Sequence, residues 1–156
     1  MTIHTTYAAA LQHGKVEPGE DDLVVGVVRH PAPWFLDSVD RNVEALGPPE
    51  KLLSAFKKVE EAADAATAWE SVSYESRYLA HLQEDASARH AADHLLERSQ
   101  DRDVWLVCYE ADERYCHRRL LRQHLTGDDG TVHAGDLDDA CAAGSQDCLG
   151  RSRVVL

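Results

Sequence analysis

The chain has 156 residues, one ordinary domain's worth of sequence. At that length roughly two-thirds of the unfolded surface can be buried, so the fold needs no disulfide or metal staples. Hydrophobic residues make up 44% and charged residues 28%, which sets aside a disordered tail, and 28 Asp and Glu against 16 Lys and Arg (net -12) set aside a duplex-DNA coat or a polybasic membrane binder.

Taken in chain order, the β-branched run Ile3 to Thr6 reads as a first strand, and Tyr7-Ala8-Ala9-Ala10-Leu11 as a short helix stopping at Gly14. Glu17 to Asp22 is a charged turn. Leu23 to Val28 is apolar at every residue, the pattern of a strand buried on both faces in a parallel sheet, and Pro31 and Pro33 force an extended exit. Pro48-Pro49 sits where a first helical turn accepts proline. Leu52, Leu53, Phe56, Val59 and Ala63 then recur at helical spacing. Tyr74, Tyr78 and Leu82, and then Ala88, Ala91, Ala92, Leu95 and Leu96, mark two further helical faces, all read as core packing. Asp103 to Tyr109 is a second apolar strand, 111–114 a polar loop, and Cys116 to Leu125 a helix closing at Gly127. Thr131-Val132-His133 is a candidate last strand, which would complete a βαβ unit. From Asp136 onward no period is evident, beyond a candidate short helix at Asp138 to Ala142. The expected fold is α/β, a short and mostly parallel sheet flanked by helices. Residues 1–126 form that domain, and 127–156 extend it.

Ligands of parallel sheets bind beyond the carboxyl ends of the strands. Arg29 follows one strand, and Cys108 ends the other with Glu110 two residues on. The helix starting near Cys116 aims its N-terminus at the same edge, where free N–H groups and the positive dipole end attract anions and favour a thiolate. Cys116, His117, Arg118 and Arg119 occupy that first turn, and Arg114 precedes it. Each residue also has a plainer role. Cys108 could be a small buried hydrophobe, His117 a brace and Glu110 the partner of a loop arginine or of Arg29. Arg119 and Arg122 read as a solvated face. Trp34, Trp69 and Trp105 read as core or half-buried lids, and His81, His90 and His94 as passengers on polar helices.

Val107-Cys108-Tyr109-Glu110 followed by Cys116-His117-Arg118-Arg119-Leu120-Leu121 resembles the signature of the family catalogued as domain of unknown function 488. In that signature an apolar run enters Cys-x-Glu, and Cys-His-Arg opens a helix after a short loop. Val27-Val28-Arg29-His30-Pro31, the Leu46-Gly47-Pro48-Pro49-Glu50-Lys51-Leu52-Leu53 stretch and the Tyr74/Tyr78 pair are similar to other family patterns. The likeness runs from about Thr2 to about Leu125. Many members read Asp-Val-Arg where this chain has Val27-Val28-Arg29, so any role of that Asp is absent here. The resemblance implies a small Rossmann-like, three-layer α/β domain whose function is not established.

Three classes of function fit these residues. One is a small enzyme on an anionic, nucleotide- or modified-base-like substrate. There Arg29 and Arg118 would bind the anion, Cys116 or Cys108 would be the nucleophile, and Glu110 or His117 the acid–base group. Another is a zinc site with Cys108, Cys116 and His117 as candidate ligands and Glu110 or water as the fourth. Its Cys-x7-Cys-His spacing is not a standard zinc pattern, and Cys141 and Cys148 are further ligand candidates. The last is a non-catalytic ligand- or redox-sensing domain. There is no Gly-x-Gly-x-x-Gly, no P-loop and no Gly-x-Ser-x-Gly elbow, so the common cofactor enzymes are poor candidates, and no particular cofactor is indicated. A small anionic ligand is the expected partner; nucleic acid is disfavoured by the net charge, and the oligomeric state is not indicated.

The start of the chain lacks the basic and apolar regions of a signal peptide, no apolar run approaches the ~20 residues of a membrane span, and four Cys without export read as thiols or ligands. The expectation is a cytoplasmic protein. Lys occurs four times and Ile once, against abundant Ala, Asp and Glu. Such a chain repels itself in dilute buffer and is screened in concentrated salt. It reads as a halophilic, haloarchaeal protein, the alternative being an acidic protein from a GC-rich gene. In a KCl titration followed by circular dichroism, helical signal should rise with salt; full folding and stability at low salt would leave only the GC-rich explanation.

Overall fold

The computed structural model describes residues 2–127. The candidate strand at 131–133, the candidate helix at 138–142, and Cys141 and Cys148 lie outside the described residues. Four strands, β1 (Ile3–Tyr7), β2 (Leu23–Gly26), β3 (Arg41–Asn42) and β4 (Val104–Cys108), form one sheet in the order β1-β4-β2-β3, with every pair parallel. The architecture is α/β, as the all-apolar runs require: β4 lies between two strands, and Val104, Leu106, Val107 and Cys108 are all buried.

β2 and β4 are direct neighbours, in register from Leu23 opposite Val104 to Gly26 opposite Val107. β2 is shorter than its apolar run. Val27 still donates to the Val107 carbonyl (3.0 Å), but the Val28 amide turns to the Asn42 side chain (3.1 Å). β3 has only two residues and no apolar pattern, so the sequence gives no strand signal there; neighbouring Val24 and Gly26 carbonyls and the Asn42 amide hold it in place.

Helices α1 (Ala8–Gln12) and α2 (Pro33–Leu36) follow β1 and β2. Val24 shares one surface with Leu11 and Trp34, whereas Leu23 and Val25 face the opposite side. On that opposite side lie α5 (Tyr74–Glu84), α6 (Ala86–Arg98) and α7 (His117–Thr126), which gives the three layers. α3 (Glu50–Ala62) starts after Pro49, as expected. The stretch beyond it is broken more often than its apolar spacing suggests. Asp64 accepts the Thr67 amide (2.7 Å) and starts α4 (Ala65–Ser71), Ser73 turns left-handed at φ 54°, and Asp85 caps α6 through the Ala88 amide (2.9 Å).

The aromatic stripe packs as expected: Trp69 stacks on Tyr74 at 4.2 Å between centroids, and Tyr78 is fully buried, its hydroxyl donating to the Leu46 carbonyl (2.6 Å). Trp105 is half-buried against His4. Trp34, on α2, is 41% exposed, with its ring edge-on to Tyr109 at 5.7 Å between centroids. Arg119 and Arg122 are not on a solvated face either. Arg119 donates to Glu75 (3.1 Å) and lies over the Trp69 ring, and Arg122 pairs with Glu113 (3.6 Å), so both tie α7 to its neighbours.

The exit of β2 is threaded past Gly47. A Cβ there would sit 2.5 Å from the Arg29 nitrogen and 2.9 Å from the Val28 carbonyl carbon, backbone atoms that cannot swing aside. Gly47→Ala should therefore cost about 1–3 kcal/mol in urea unfolding; an unchanged midpoint would show that the two loops separate freely.

Candidate functional site

The chain's course sets the place of the site. From β2 it passes to β3 on one side, while β4 fills the place on the other. The carboxyl ends of β2 and β4 therefore flank a topological switch point, where α/β sheets open a crevice. Arg29 leaves one end and Cys108 closes the other, while the loop after Cys108 brings back Cys116 as the N-cap of α7. A short 3-10 turn, Glu113–Tyr115, shapes that loop, and Asp112 caps it through the Arg114 amide (3.0 Å).

His117 is the centre of the arrangement. Its ring is buried, 5.4 Å from the Tyr78 ring, and its Nε2 lies 2.5 Å from the Val27 carbonyl oxygen. A carbonyl only accepts, so Nε2 carries the hydrogen. That leaves Nδ1 facing Cys116 Sγ at 3.9 Å, while Cys108 Sγ lies closer to Nε2 (3.5 Å) than to Nδ1 (3.9 Å). Both cysteines are free thiols and are buried. The Cys108, Cys116 and His117 donor atoms all lie within 4.8 Å of one another, so the set could hold a metal ion.

Burial raises the pKa of both thiols, but they separate. Burial and the nearby Cys116 push the Cys108 thiol well above its ordinary value. Burial acts on Cys116 too, but the Cys108 thiol as hydrogen-bond donor, the His117 charge and the Arg118 charge outweigh it and hold Cys116 well below the ordinary thiol range. His117 is the mirror case: burial disfavours its charge, and Cys116 together with the Val27 carbonyl restores it, for a net rise. The pair is therefore drawn toward thiolate and imidazolium, at the positive end of α7. Partial burial and the Cys116 charge raise the Glu110 carboxyl, on a residue open to solvent at the rim.

The arginines divide differently from the sequence expectation. Arg118 is buried. Its guanidinium donates to the backbone carbonyls of Glu110 and Ala111 and lies 3.8 Å from Cys116 Sγ, so it braces the loop as well as adding charge. Arg29 donates to the Pro48 carbonyl (3.0 Å) and the Gly47 carbonyl (3.1 Å), and no Arg29–Glu110 ion pair forms among the described residues. Arg114 pairs with Asp112 (2.8 Å) in solvent, and Arg119 with Glu75, so neither joins the site.

Arg29, Tyr109, Glu110, Tyr115, Cys116 and His117 line a cleft of about 100 Å³ with aromatic walls completed by Phe56 and Tyr74. The sequence-predicted residues Arg29, Cys108, Glu110, Cys116, His117 and Arg118 thus come together. Three contributors escaped the sequence reading: the Val27 carbonyl, which fixes the His117 tautomer, and Tyr109 and Tyr115, which wall the cleft. A main-chain carbonyl carries no sequence signal, Tyr109 reads only as the last residue of an apolar strand, and Tyr115 falls between the polar loop and the helix with no pattern to mark it.

Thiolate absorbance near 240 nm should persist as pH falls below the ordinary thiol value of about 8.5, then disappear in a separate step at lower pH. Cys116→Ser should remove that step and His117→Gln should move it upward. A single transition in the ordinary thiol range would contradict the dyad.

Residues 8–128 match the family model described as the active DUF488-N3 subclade. No curated protein and no solved structure matches the chain.

Proposed function

The chain belongs to the DUF488 family, and on that premise we propose that it is a small enzyme acting on an anionic substrate, nucleotide- or modified-base-like, through covalent catalysis by Cys116. The observation that carries this reading is the fixed His117 ring, with Nε2 spent on the Val27 carbonyl and Nδ1 facing Cys116. A nucleophile, a base in reach and a third group orienting the base form the activated-nucleophile arrangement. Arg29, at the wall of the cleft, supplies positive charge for the substrate anion. The Cys116 thiolate would attack an electrophilic carbon, forming a C–S bond as the bond to the leaving group breaks. Glu110, whose carboxyl burial and the Cys116 charge shift toward its protonated form, would give its proton to that leaving group. Cys108, held as a neutral thiol, would act as a donor that steadies the thiolate.

A second reading is metal binding, favoured by the mutual closeness of the three donors. His117 would offer Nδ1, since Nε2 is engaged by Val27. Zinc accepts such a set with a water or carboxylate as fourth ligand.

Two alkylating agents of like reactivity separate these readings. Followed by peptide mass spectrometry, Cys116 should react faster with anionic iodoacetate, relative to neutral iodoacetamide, than a free thiol does. Arg29→Ala should abolish that preference while the fold, checked by circular dichroism, is retained. One zinc per chain surviving dialysis against a chelator, with Cys116 unreactive until the metal is removed, would replace the enzyme reading by the metal site.

A further inference from the structure

A second concavity lies away from the strand-end cleft, on the α6 side of the sheet. It is a groove of about 860 Å³ between the face of β2 and β3 and the side of α6. That volume is within the range of small-molecule sites, several hundred to about 1,000 Å³. Its floor is apolar, formed by Leu23, Val25, Val43 and Leu95. Its rim carries Arg41 from β3, Arg98 from α6 and Arg102 just beyond it, with His90 and His94 between them. Among the described residues, no Asp or Glu lines it.

That rim is unusual in a chain of net charge -12, where acidic partners are in excess. Among the described residues, Arg41 and Arg102 make no side-chain ion pair or hydrogen bond, and Arg98 meets only the His94 ring, at 3.5 Å. The spacing is regular: His90, His94 and Arg98 stand four residues apart on α6, one above the other on the groove side, and Arg102 follows four later. A cation in the last turn of a helix is favoured by the helix's negative end, which accounts for Arg98. It does not account for Arg41, which arrives from a different element, or for the apolar floor beneath.

We propose that this groove is a second binding site, for a small organic phosphate with an apolar or aromatic body. The guanidinium groups are the donors that match phosphate oxygens, the two imidazoles add further donors, and the floor takes the body of the ligand. A long nucleic acid fits less well, because the net negative charge opposes a polyanion that extends beyond the groove.

The test is isothermal titration calorimetry of the full chain with ADP, at the lowest KCl concentration that keeps it folded. ADP should bind with a Kd below about 1 mM, and inorganic pyrophosphate, which lacks the body, at least about tenfold more weakly. Arg41→Ala, Arg98→Ala and Arg102→Ala should each weaken ADP by about tenfold. Arg89→Ala, an exposed change on α6 outside the groove, should leave it unchanged. All four are surface changes that circular dichroism can check for folding. No heat with ADP at several millimolar overturns the proposal. So does affinity unchanged in the three arginine variants, or lost in Arg29→Ala instead, which would place ADP in the strand-end cleft. Pyrophosphate binding as tightly as ADP would overturn the ligand class, since the floor would then contribute nothing.

Discussion

The hydrogen bond from His117 to the Val27 carbonyl is the contact on which the rest of the site depends. It joins the first residue of α7 to the exit of β2 across 90 residues of chain. It consumes one ring nitrogen and thereby sets the tautomer, so the other nitrogen faces Cys116 Sγ at 3.9 Å while Cys108 Sγ sits against the ring, 3.5 Å from Nε2. Without it the imidazole would have a choice of hydrogen-bond patterns, and the two cysteines would lack a common partner. The bond can form because β2 and β4 are parallel neighbours whose carboxyl ends lie side by side. Sheet topology and side-chain chemistry meet in this one contact.

Burial then separates two chemically identical side chains. Cys108 ends a central strand and is fully buried, so burial and the neighbouring Cys116 keep its proton on. Cys116 caps a helix beside His117 and Arg118, and those charges overcome the same penalty. Environments that push the pKa values of two like groups apart assign them different roles. Arg118 serves both needs at once, bracing the loop through two carbonyls and contributing charge near the Cys116 sulfur.

The charge pattern follows the same division. The chain carries an excess of acid, yet two of its concavities carry arginines without an acid partner: Arg29 in the cleft, where Glu60 and Glu110 also stand, and Arg41, Arg98 and Arg102 in the groove; a further one, near α1 and α2, is lined instead by Glu17, Glu20, Asp22, Asp37 and Asp40. Arginines outside them, such as Arg114 and Arg119, are paired with acids. An anion approaching this protein is repelled by the whole and attracted at particular places, and the repulsion weakens as salt screens it.

Much was legible in the sequence because the signals are local. Unbroken apolar runs announced β2 and β4 and a parallel sheet, Gly14 and Gly127 ended helices, and the order of strand, Cys-x-Glu, loop and Cys-His-Arg placed Cys108, Glu110, Cys116, His117 and Arg118 near one edge. What it could not give depends on partners distant in the chain. β3 has two residues and exists only because Val24 and Gly26 offer it hydrogen bonds. Arg119 and Arg122 looked solvent-facing, since the acids that hold them come from α5 and the 3-10 turn. The tautomer of His117, the separation of the two thiols and the cation-rimmed groove all arise from atoms contributed by different elements. Sequence determines which residues are present and how each segment folds. The tertiary structure decides which carbonyl faces which ring, and therefore where the protons and charges reside.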